Sequence, residues 1–341
     1  GYGTVVAFCM LLYPAGVAIG SDPIVLLGAI LSGAAFGDNL APVSDTTIVS
    51  AVTQRTDIIG VVRSRFKYAV AAAIPAMILF LIFGGSDMTV KNDILSTGAF
   101  GRPEGLILLI PFALVLLIAF RGHHIITSLT WGIISSVILI YIADLCPMKN
   151  ILWFNLKEGR VEGALLDGVL GYVNMAVLIL LVVALGYIVN IGGTMDAIRR
   201  FTISKIKGVV ARAEIAMWAL VGILNSLITI NTAAEILAST FVYDIGNELK
   251  IHPYRRANFL DSMTSALGYI FPWAGGTLLG IVSIQGLTSK YSFVQAVNPI
   301  EVVPYVFHGW LLVIVMLIAA ITGWGRRFIG PNGEEVKSLK G

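Results

Sequence analysis

Long apolar runs recur along the whole chain, and their length is the feature that most limits its fold. A membrane-spanning helix needs about 20 mainly apolar residues. Because 57% of the residues are hydrophobic and only 13% are charged, the composition excludes an ordinary soluble domain. The sequence predicts an all-α polytopic membrane protein that forms a single transmembrane domain over residues 1–341. Its ten candidate spans are residues 4–20, 23–52, 66–84, 105–120, 122–143, 171–193, 213–230, 232–248, 257–284 and 304–324.

Lys and Arg residues collect in alternate loops between these candidate spans. Short cytoplasmic loops of membrane proteins are enriched in these residues, and loops 53–67 and 194–212 carry four and five of them. Alternation from these loops places 17 of the 23 basic residues on one side of the bilayer. We therefore expect a multi-pass protein of the plasma membrane, in contact with the lipid bilayer, with both loops in the cytoplasm.

Two stretches of the sequence share the same spacing of Pro, Ser and Thr. The matched positions, displaced by 230 residues, are Pro23, Ser32, Pro42 and Thr47 in one stretch and Pro253, Ser262, Pro272 and Thr277 in the other. The first stretch lies in the second span and the other in the ninth, so the two units cross the bilayer in opposite directions. Inverted repeats of this kind are common in transporters. We place the repeat cores at residues 1–84 and 213–324.

Spans 23–52 and 257–284 are too long, and too polar in the middle, for one uninterrupted helix each. Pro42 and Pro272 lie within them, and proline removes a backbone donor and clashes with the preceding helical turn. We therefore predict two Pro-broken helices. Backbone groups freed at membrane depth must face protein or a water-filled cavity, so a polar site is expected at the breaks.

Polar side chains concentrate around both predicted breaks. Ionisable groups at membrane depth are costly and usually functional, and clustered oxygen ligands suit a hard cation. The candidates are Asp38, Asn39, Ser44, Asp45, Thr46 and Thr47 at the first break, Asp261, Ser262 and Thr264 near the second, and Asn231 and Glu235 from the adjoining span. The sequence predicts a cation- and proton-binding site here, with sodium as the metal ion at Asp38 and Asp45.

Each acid also has a structural interpretation. Asp45 could serve as the N-cap of the helix after Pro42, and Asp38 could pair with an arginine, although we place no basic residue inside a span. Asp261 follows Arg256 by five residues, so a salt bridge at the cytoplasmic edge is an alternative. Glu235 could lie near the outer face and be hydrated.

The segment SGAAFGDNLAPVSDTTIVSA resembles the signature of the NhaC-type sodium/proton antiporters, an Asp-containing motif with a Pro and a Ser-Asp-Thr-Thr run. The segment RANFLDSMTSALGYIFPW is similar to a later family segment, in which an acid and Ser/Thr residues precede Pro272 and Trp273. The resemblance extends over residues 1–324. It implies exchange of sodium, as the transported substrate, for protons, without a cofactor. Asn39 departs from the family, many of whose members have a basic residue there.

The resemblance also implies that further spans precede residue 1, so we expect an N-terminally truncated chain. In the mechanism that we expect, Asp38 and Asp45 bind either a proton or a cation, and a conformational change exposes them to each side in turn. The sequence is compatible with a homo-oligomer. Nothing in it indicates binding to nucleic acid, since the basic loops suit topology and anionic lipid.

Three other functions compete with sodium/proton exchange. The resemblance extends to exchangers of small organic acids or amino acids coupled to sodium or protons. An intramembrane aspartyl protease would use a Tyr-Asp and a Gly-Asp pair, which occur at Tyr243-Asp244 and Gly37-Asp38, but in the reverse chain order and with Ala35 in place of a glycine. A channel fits inverted repeats with Pro-broken helices less well than alternating access does.

Overall fold

The computed structural model describes residues 1–85, 103–121, 123, 125–156, 159–166, 208–288 and 291–338, with isolated positions between 184 and 200. The described chain is mostly helical, in agreement with the predicted all-α class. Its contacts form two compact units, one of Gly1–Ile94 and Val183–Gly341 and the other of Leu95–Val182. The predicted span 171–193 falls almost entirely outside the described residues, and the single domain over 1–341 stays a prediction.

The larger unit contains all the described candidate site residues. Its N-terminal helices are α1 (Tyr2–Ala18), α2 (Pro23–Leu40), α3 (Asp45–Thr53) and α4 (Ile58–Phe83). The smaller unit has a 3-10 helix (Pro103–Leu108), α5 (Leu109–Phe120), α6 (Ile125–Ile142), a 3-10 turn (Met148–Asn150) and an antiparallel hairpin of β1 (Trp153–Asn155) and β2 (Arg160–Glu162).

The C-terminal part of the larger unit begins at residue 210. Its helices are α7 (Val210–Ile228), α8 (Asn231–Glu248), α9 (Pro253–Leu267), α10 (Gly275–Thr288), α11 (Pro299–Val302), a 3-10 turn (Val303–Tyr305) and α12 (Phe307–Thr322). Strands β3 (Phe328–Ile329) and β4 (Glu335–Val336) form a second antiparallel hairpin, with Phe328 opposite Val336. The hydrophobic core joins α1, α2, α7, α9 and α12 through buried side chains such as Val5, Leu31, Met217, Phe259 and Met316.

Several described helices are long and apolar enough to cross a membrane. Three segments qualify by length and composition in the described part of the chain: Pro23–Thr53, Ile58–Phe83 and Val210–Ile228. Pro299–Tyr305 and Phe307–Thr322, bent by 52° at their junction, would make a fourth. These helices support an integral membrane protein. The count of ten spans stays a prediction.

The chain is interrupted at both proline-containing breaks. The first helix of one pair ends at Leu40 and the next begins at Asp45, with Pro42 between them. In the other pair α9 ends at Leu267 and α10 begins at Gly275, with Pro272 between them. At the second break the Tyr269 carbonyl has a new donor, since the Thr277 hydroxyl donates to it at 3.0 Å. This local pairing keeps irregular backbone satisfied inside the protein.

The two broken helices begin alike. Pro23 opens α2 after Asp22, whose carboxylate accepts from the Ile24 and Val25 amides at 2.8 and 3.0 Å. Pro253 opens α9 after His252, whose Nδ1 accepts from the Tyr254 amide at 3.3 Å. Helix α1 packs on α2 and α10, and α8 packs on α9 and α3. The repeat and the opposite orientation of its halves stay predictions.

The predicted cytoplasmic loop 53–67 is much shorter in the structure. Helix α4 begins at Ile58, so Arg63, Arg65 and Lys67 are helical, and Arg65 is fully buried. Likewise, Arg255 and Arg256 lie within α9 rather than in a loop. The prediction that no basic residue falls inside a helical span was therefore wrong, because a buried partner and a long aliphatic stem let an arginine enter the interior.

Candidate functional site

Asp38 lies in the last turn of α2, where the helix ends before Pro42, and only 3% of its surface is exposed. The Ser44 hydroxyl donates to its Oδ1 at 2.6 Å, and the Tyr269 hydroxyl donates to its Oδ2 at 2.9 Å. The Gly1 nitrogen lies 3.3 Å from Oδ1. Ser44 Oγ also lies 2.9 Å from Thr46 Oγ1. The two breaks thus meet at one carboxylate, which is surrounded by hydroxyl oxygens.

Asp261, in α9, is fully buried and forms an ion pair with Arg65 of α4. The Thr47 hydroxyl donates to the same Asp261 oxygen at 2.8 Å and accepts from Arg65 Nη2 at 2.9 Å. The Ser265 hydroxyl donates to the other oxygen at 2.5 Å. This network joins α3, α4 and α9, and charge-assisted hydrogen bonds of this kind are the strong ones. Both carboxylate oxygens of Asp261 are therefore occupied.

Glu235, one turn into α8, has no exposed surface. Neither carboxylate oxygen has a hydrogen-bond donor among the described residues. The charges that act on this carboxylate belong to Arg65, Asp38 and Asp45. Since an unpaired buried charge is very costly, Glu235 differs sharply from the two aspartates. The alternative that it is hydrated near the surface was wrong, because none of its surface is exposed.

Of the other predicted residues, Asn39 and Asn231 bond to side chains of other helices, whereas Thr264 bonds within its own helix. Asn39 donates to the Ser262 hydroxyl at 3.4 Å, and its own Oδ1 has no partner in the described part of the chain. Asn231 Oδ1 accepts from the Tyr2 hydroxyl at 3.4 Å. The same oxygen packs tightly on Gly268, where an added Cβ would lie only 1.9 Å from it. The Thr264 hydroxyl instead bonds back to its own helix, at the Leu260 and Asp261 carbonyls.

Asp45 is exposed, at the first residue of α3, where the Thr232 hydroxyl donates to it. Ser44, not Asp45, occupies the N-cap position of α3, so the capping alternative for Asp45 was wrong. The alternative salt bridge between Asp261 and Arg256 was also wrong. Arg256 donates to the backbone carbonyls of Tyr243 and Gln54, each at 3.4 Å, while Asp261 is paired with Arg65.

A second buried ionic cluster centres on Glu214 of α7, which has no exposed surface. Arg255 of α9 donates to its two oxygens at 2.9 and 3.0 Å, and Arg326, after α12, donates to one of them at 2.8 Å. Arg255 also donates to the Ala319 and Trp324 carbonyls at 2.8 and 3.0 Å and to the Tyr68 hydroxyl. We call these residues the Glu214 cluster. Its acid is saturated with cationic donors.

The sequence was compared with models of known protein families. A family model described as the Na+/H+ antiporter family matches residues 1–85 and 102–310, which is most of the chain. The chain belongs to the Na+/H+ antiporter family. Its membership and its apolar helices together make it an integral membrane protein.

Three relatives of this chain are named as antiporters. The Na+/H+ antiporter NhaC of Alkalihalophilus pseudofirmus is 31% identical over 128 residues, 36% of this chain and 28% of that protein. The malate-2H+/Na+-lactate antiporter of Bacillus subtilis is 34% identical over 83 residues, 24% of this chain and 18% of that protein. The arginine/ornithine antiporter ArcD of Halobacterium salinarum is 23% identical over 340 residues, 95% of this chain and 67% of that protein.

The chain spans about a quarter of the NhaC relative's length and about a fifth of that of the malate/lactate antiporter. No solved structure matches the chain. Within the described ranges, no group of three or more His, Cys, Asp or Glu side chains could hold a metal ion. The oxygens around Asp38 belong to one carboxylate and to the hydroxyls of Ser44 and Tyr269, and oxygen ligands suit hard cations.

Sequence reasoning missed two residues at the site of this family member, Arg65 and Tyr269. Arg65 carried a signal, because the apolar residues Val61 and Val62 precede it and continue the helical pattern of the following run. Tyr269 lies three residues before Pro272, in the second break, and only the fold brings it to Asp38. Each has a polar side chain that reaches a buried carboxylate on a helix distant in the sequence.

Proposed function

We propose that this chain forms the core of a secondary active transporter of the plasma membrane, which exchanges sodium for protons by alternating access. The observation that carries this proposal is the buried Asp38 carboxylate at the meeting point of two helix breaks. Membership of the Na+/H+ antiporter family and the likeness to an NhaC antiporter support it. Sodium is the cargo, and the proposal requires no cofactor.

In this proposal Asp38 is the anionic ligand of the cation. The hydroxyls of Ser44 and Tyr269 donate to it in the structure described here. A hydroxyl can rotate and offer its lone pairs to a cation, so the same side chains, with Thr46, can complete an oxygen shell. Freed carbonyls at the break supply further ligands. Asp45, exposed next to this region, contributes negative potential that attracts cations.

Exchange then follows from charge. A site that holds neither ion has one more uncompensated buried charge than a site loaded with sodium or a proton, and that charge is costly. The empty site therefore resists the conformational change, whereas the loaded site passes through it. Transport in one direction therefore requires a cation, and transport in the other requires a proton. Thr47, Asp261, Ser262 and Asn39 hold the helices that surround the site in place, through the contacts between the two halves of the larger unit.

A second candidate is exchange of amino acids or small organic acids. The likeness to ArcD, which runs along nearly the whole chain, favours it. Against it, Arg65, a buried cation that could bind a substrate carboxylate, is already paired with Asp261. An organic anion would have to displace a fully buried partner.

The test is transport by the purified chain reconstituted into lipid vesicles. We expect an inward sodium gradient to drive protons out, and Asp38→Asn to abolish this movement while the protein still inserts and purifies normally. Glu301→Gln changes an exposed acid away from the site and serves as the matched control. Lithium, potassium, malate, lactate, arginine and ornithine are offered in turn. Full activity of Asp38→Asn would contradict the assignment, and movement of an organic substrate alone would favour the second candidate.

A further inference from the structure

We propose that the exchanged proton is carried by Glu235, at a position separate from the cation site at Asp38. This inference rests on the proposed sodium/proton exchange and assigns its two ions to two different carboxylates. It differs from the arrangement predicted from the sequence, in which Asp38 and Asp45 bind both ions. The argument depends on what surrounds each buried acid.

Four acids are buried in the part of the chain that the structure describes: Asp38, Glu214, Glu235 and Asp261. Asp38 accepts two hydroxyl hydrogen bonds, while Asp261 and Glu214 each accept from arginine. Donors stabilise a carboxylate in its charged form, and a cationic donor does so most strongly. Each of these three acids therefore has donors that stabilise its charge in the conformation seen here.

Asp261 is further excluded as the proton carrier by its partner. Arginine stays charged at any physiological pH, and protonation of Asp261 would take from the fully buried Arg65 guanidinium the carboxylate with which it is paired. The adjoining Thr47 and Ser265 hydroxyls already donate to Asp261. An exchangeable proton on this carboxylate would disrupt the whole network at every cycle. The Arg65–Asp261 pair is thus a neutral, fixed element of the site.

Glu235 has the opposite surroundings. Its oxygens are fully buried, and within the described residues no donor reaches either of them. A neutral carboxylic acid can be buried at far lower cost than a carboxylate. The conformation described here therefore suits Glu235 with its proton bound. It is an acid whose loss of a proton must be compensated by a new positive charge nearby.

The charged groups around Glu235 supply the link to the cation. Those on the helices packed against α8, or acting on it, are Asp38 (α2), Asp45 (α3), Arg65 (α4), Arg212 and Glu214 (α7), and Arg255, Arg256 and Asp261 (α9), with Asp244 and Glu248 on α8 itself. Asp261 and Glu214 are compensated by arginine. Asp38 and Asp45 are the acids whose charges oppose a negative charge at Glu235, while Arg65 favours one.

Sodium at Asp38 removes this repulsion. The O–H bond of Glu235 then breaks, its proton leaves to water, and the new carboxylate charge is balanced by the bound sodium ion. In the reverse step a proton returns to Glu235 and weakens the hold on sodium. Binding and release are linked reciprocally, as any coupling between two sites must be, and the pair exchanges one positive charge for another.

The experiment separates sodium movement from proton movement in reconstituted vesicles. Sodium counterflow, the exchange of labelled for unlabelled sodium at equal pH on both sides, needs the cation site alone. We expect Glu235→Gln to keep counterflow at saturating sodium but to lose sodium-driven proton release by at least about tenfold. In the wild type the KM for sodium should rise as the pH falls, and in Glu235→Gln it should be high and independent of pH.

Three further variants complete the design. Glu235→Asp keeps an acid and should restore proton release in part. Asp38→Asn should lose both movements, and Glu301→Gln should lose neither. Because Gln has the shape of the protonated acid, Glu235→Gln should also unfold in detergent at nearly the temperature of the wild type, which shows that a lost activity is not a lost fold.

Each outcome decides the matter. Proton release by Glu235→Gln at the wild-type level, or a sodium KM that still rises at low pH in that variant, would place the proton elsewhere. Loss of counterflow together with proton release, in a stable Glu235→Gln protein, would mean that both ions use one site. A wild type that moves no sodium at all would remove the proposed function and this inference with it, and that result differs from the others because no variant is involved.

Discussion

Two glutamates of the larger unit, Glu214 and Glu235, have the same side chain and the same complete burial, but their surroundings are opposite. Glu214 accepts three hydrogen bonds from Arg255 and Arg326. Glu235 accepts none from any residue that the structure describes. Burial of an acid alone therefore does not indicate function. An acid saturated with cations holds helices together, whereas an acid left without donors can exchange a proton.

The two acids also differ in their position relative to the breaks. The Glu214 cluster joins α7 and the first turn of α9 to the segment that follows α12. Arg255 is the third residue of α9, at the end of that helix away from the second break. Glu235 lies on α8, which packs against α3, the helix that follows the first break. The stable cluster therefore lies away from a break, whereas Glu235 lies beside the helix that follows one.

The largest expected effect is a contrast in stability between matched substitutions. Glu214→Gln removes the charge that compensates two arginines and should cost about 3–5 kcal/mol, the penalty for breaking a buried ion pair. Glu235→Gln should cost almost nothing. Thermal unfolding in detergent, with the yield of folded protein, measures both. Equal losses at the two positions would show that the difference in partners has no energetic meaning.

A similar loss, smaller because hydroxyl donors remain, is expected at the Arg65–Asp261 pair. Arg65→Met leaves Asp261 with the donors Thr47 and Ser265 alone, and we expect a loss of about 3 kcal/mol. Adding Asp261→Asn to the same chain should recover much of this loss, because the uncompensated charge disappears. A double-mutant cycle on unfolding temperatures gives the coupling. Additive losses in the double variant would contradict a direct ion pair.

A moderate effect is expected at the hydroxyl shell of Asp38. Tyr269→Phe removes one donor and one future cation ligand, worth about 1 kcal/mol, so the KM for sodium should rise about fivefold. The pH dependence of this KM should be unchanged, and below saturating sodium both counterflow and proton release should fall together. A change in the pH dependence of the sodium KM would instead connect Tyr269 with the proton.

The smallest effect is expected at an exposed acid, Asp57, the N-cap of α4. Its carboxylate accepts from the Gly60 amide at 2.6 Å and from the Tyr254 hydroxyl, and the Tyr254 hydrogen bond holds the pKa of Asp57 below its ordinary value. Asp57→Ala should cost about 1 kcal/mol near neutral pH. Since the charged form is the one stabilised, this contribution is present above the ordinary pKa and is lost as the pH falls through the lowered one.

Unfolding temperatures of the wild type and Asp57→Ala should therefore differ near pH 7 and converge in acid. An equal difference at both pH values would mean that the side chain acts by packing alone. At both pH values the loss of stability in Asp57→Ala should be smaller than the loss in Glu214→Gln.

The sequence predicted much of the first break but little of what surrounds it. Pro42 indicates the break because its missing donor and its ring act locally, and Ser44 lies close enough along the chain to reach Asp38. Tyr269 is 231 residues from Asp38, and Arg65 is 196 residues from Asp261, so these contacts depend on packing between helices. Arg65 was placed in a loop because Lys and Arg cluster in residues 53–67 and an arginine is usually exposed to water. In the fold, its long side chain and its buried partner Asp261 allow it to be buried.

The depth of Glu235 was equally beyond the sequence. Polar neighbours such as Asn231 and Thr232 suggest a helix end near water, yet α8 is covered there by α3 and α9. Which polar segment becomes buried depends on the neighbours that cover it. Local composition does not contain that information.

The order of the residues in the Glu214 cluster has a consequence for biogenesis. The ribosome makes Glu214 first, Arg255 later, and Arg326 only 112 residues after Glu214. While the chain is being inserted, the first carboxylate has no arginine, then one, and then two. The segment with Arg326 also pairs with the α8–α9 junction, where the His252 amide donates to the Arg327 carbonyl at 3.0 Å. Final closure of this part of the fold therefore requires synthesis to pass residue 327, and a nascent chain halted before residue 326 leaves Glu214 with Arg255 alone.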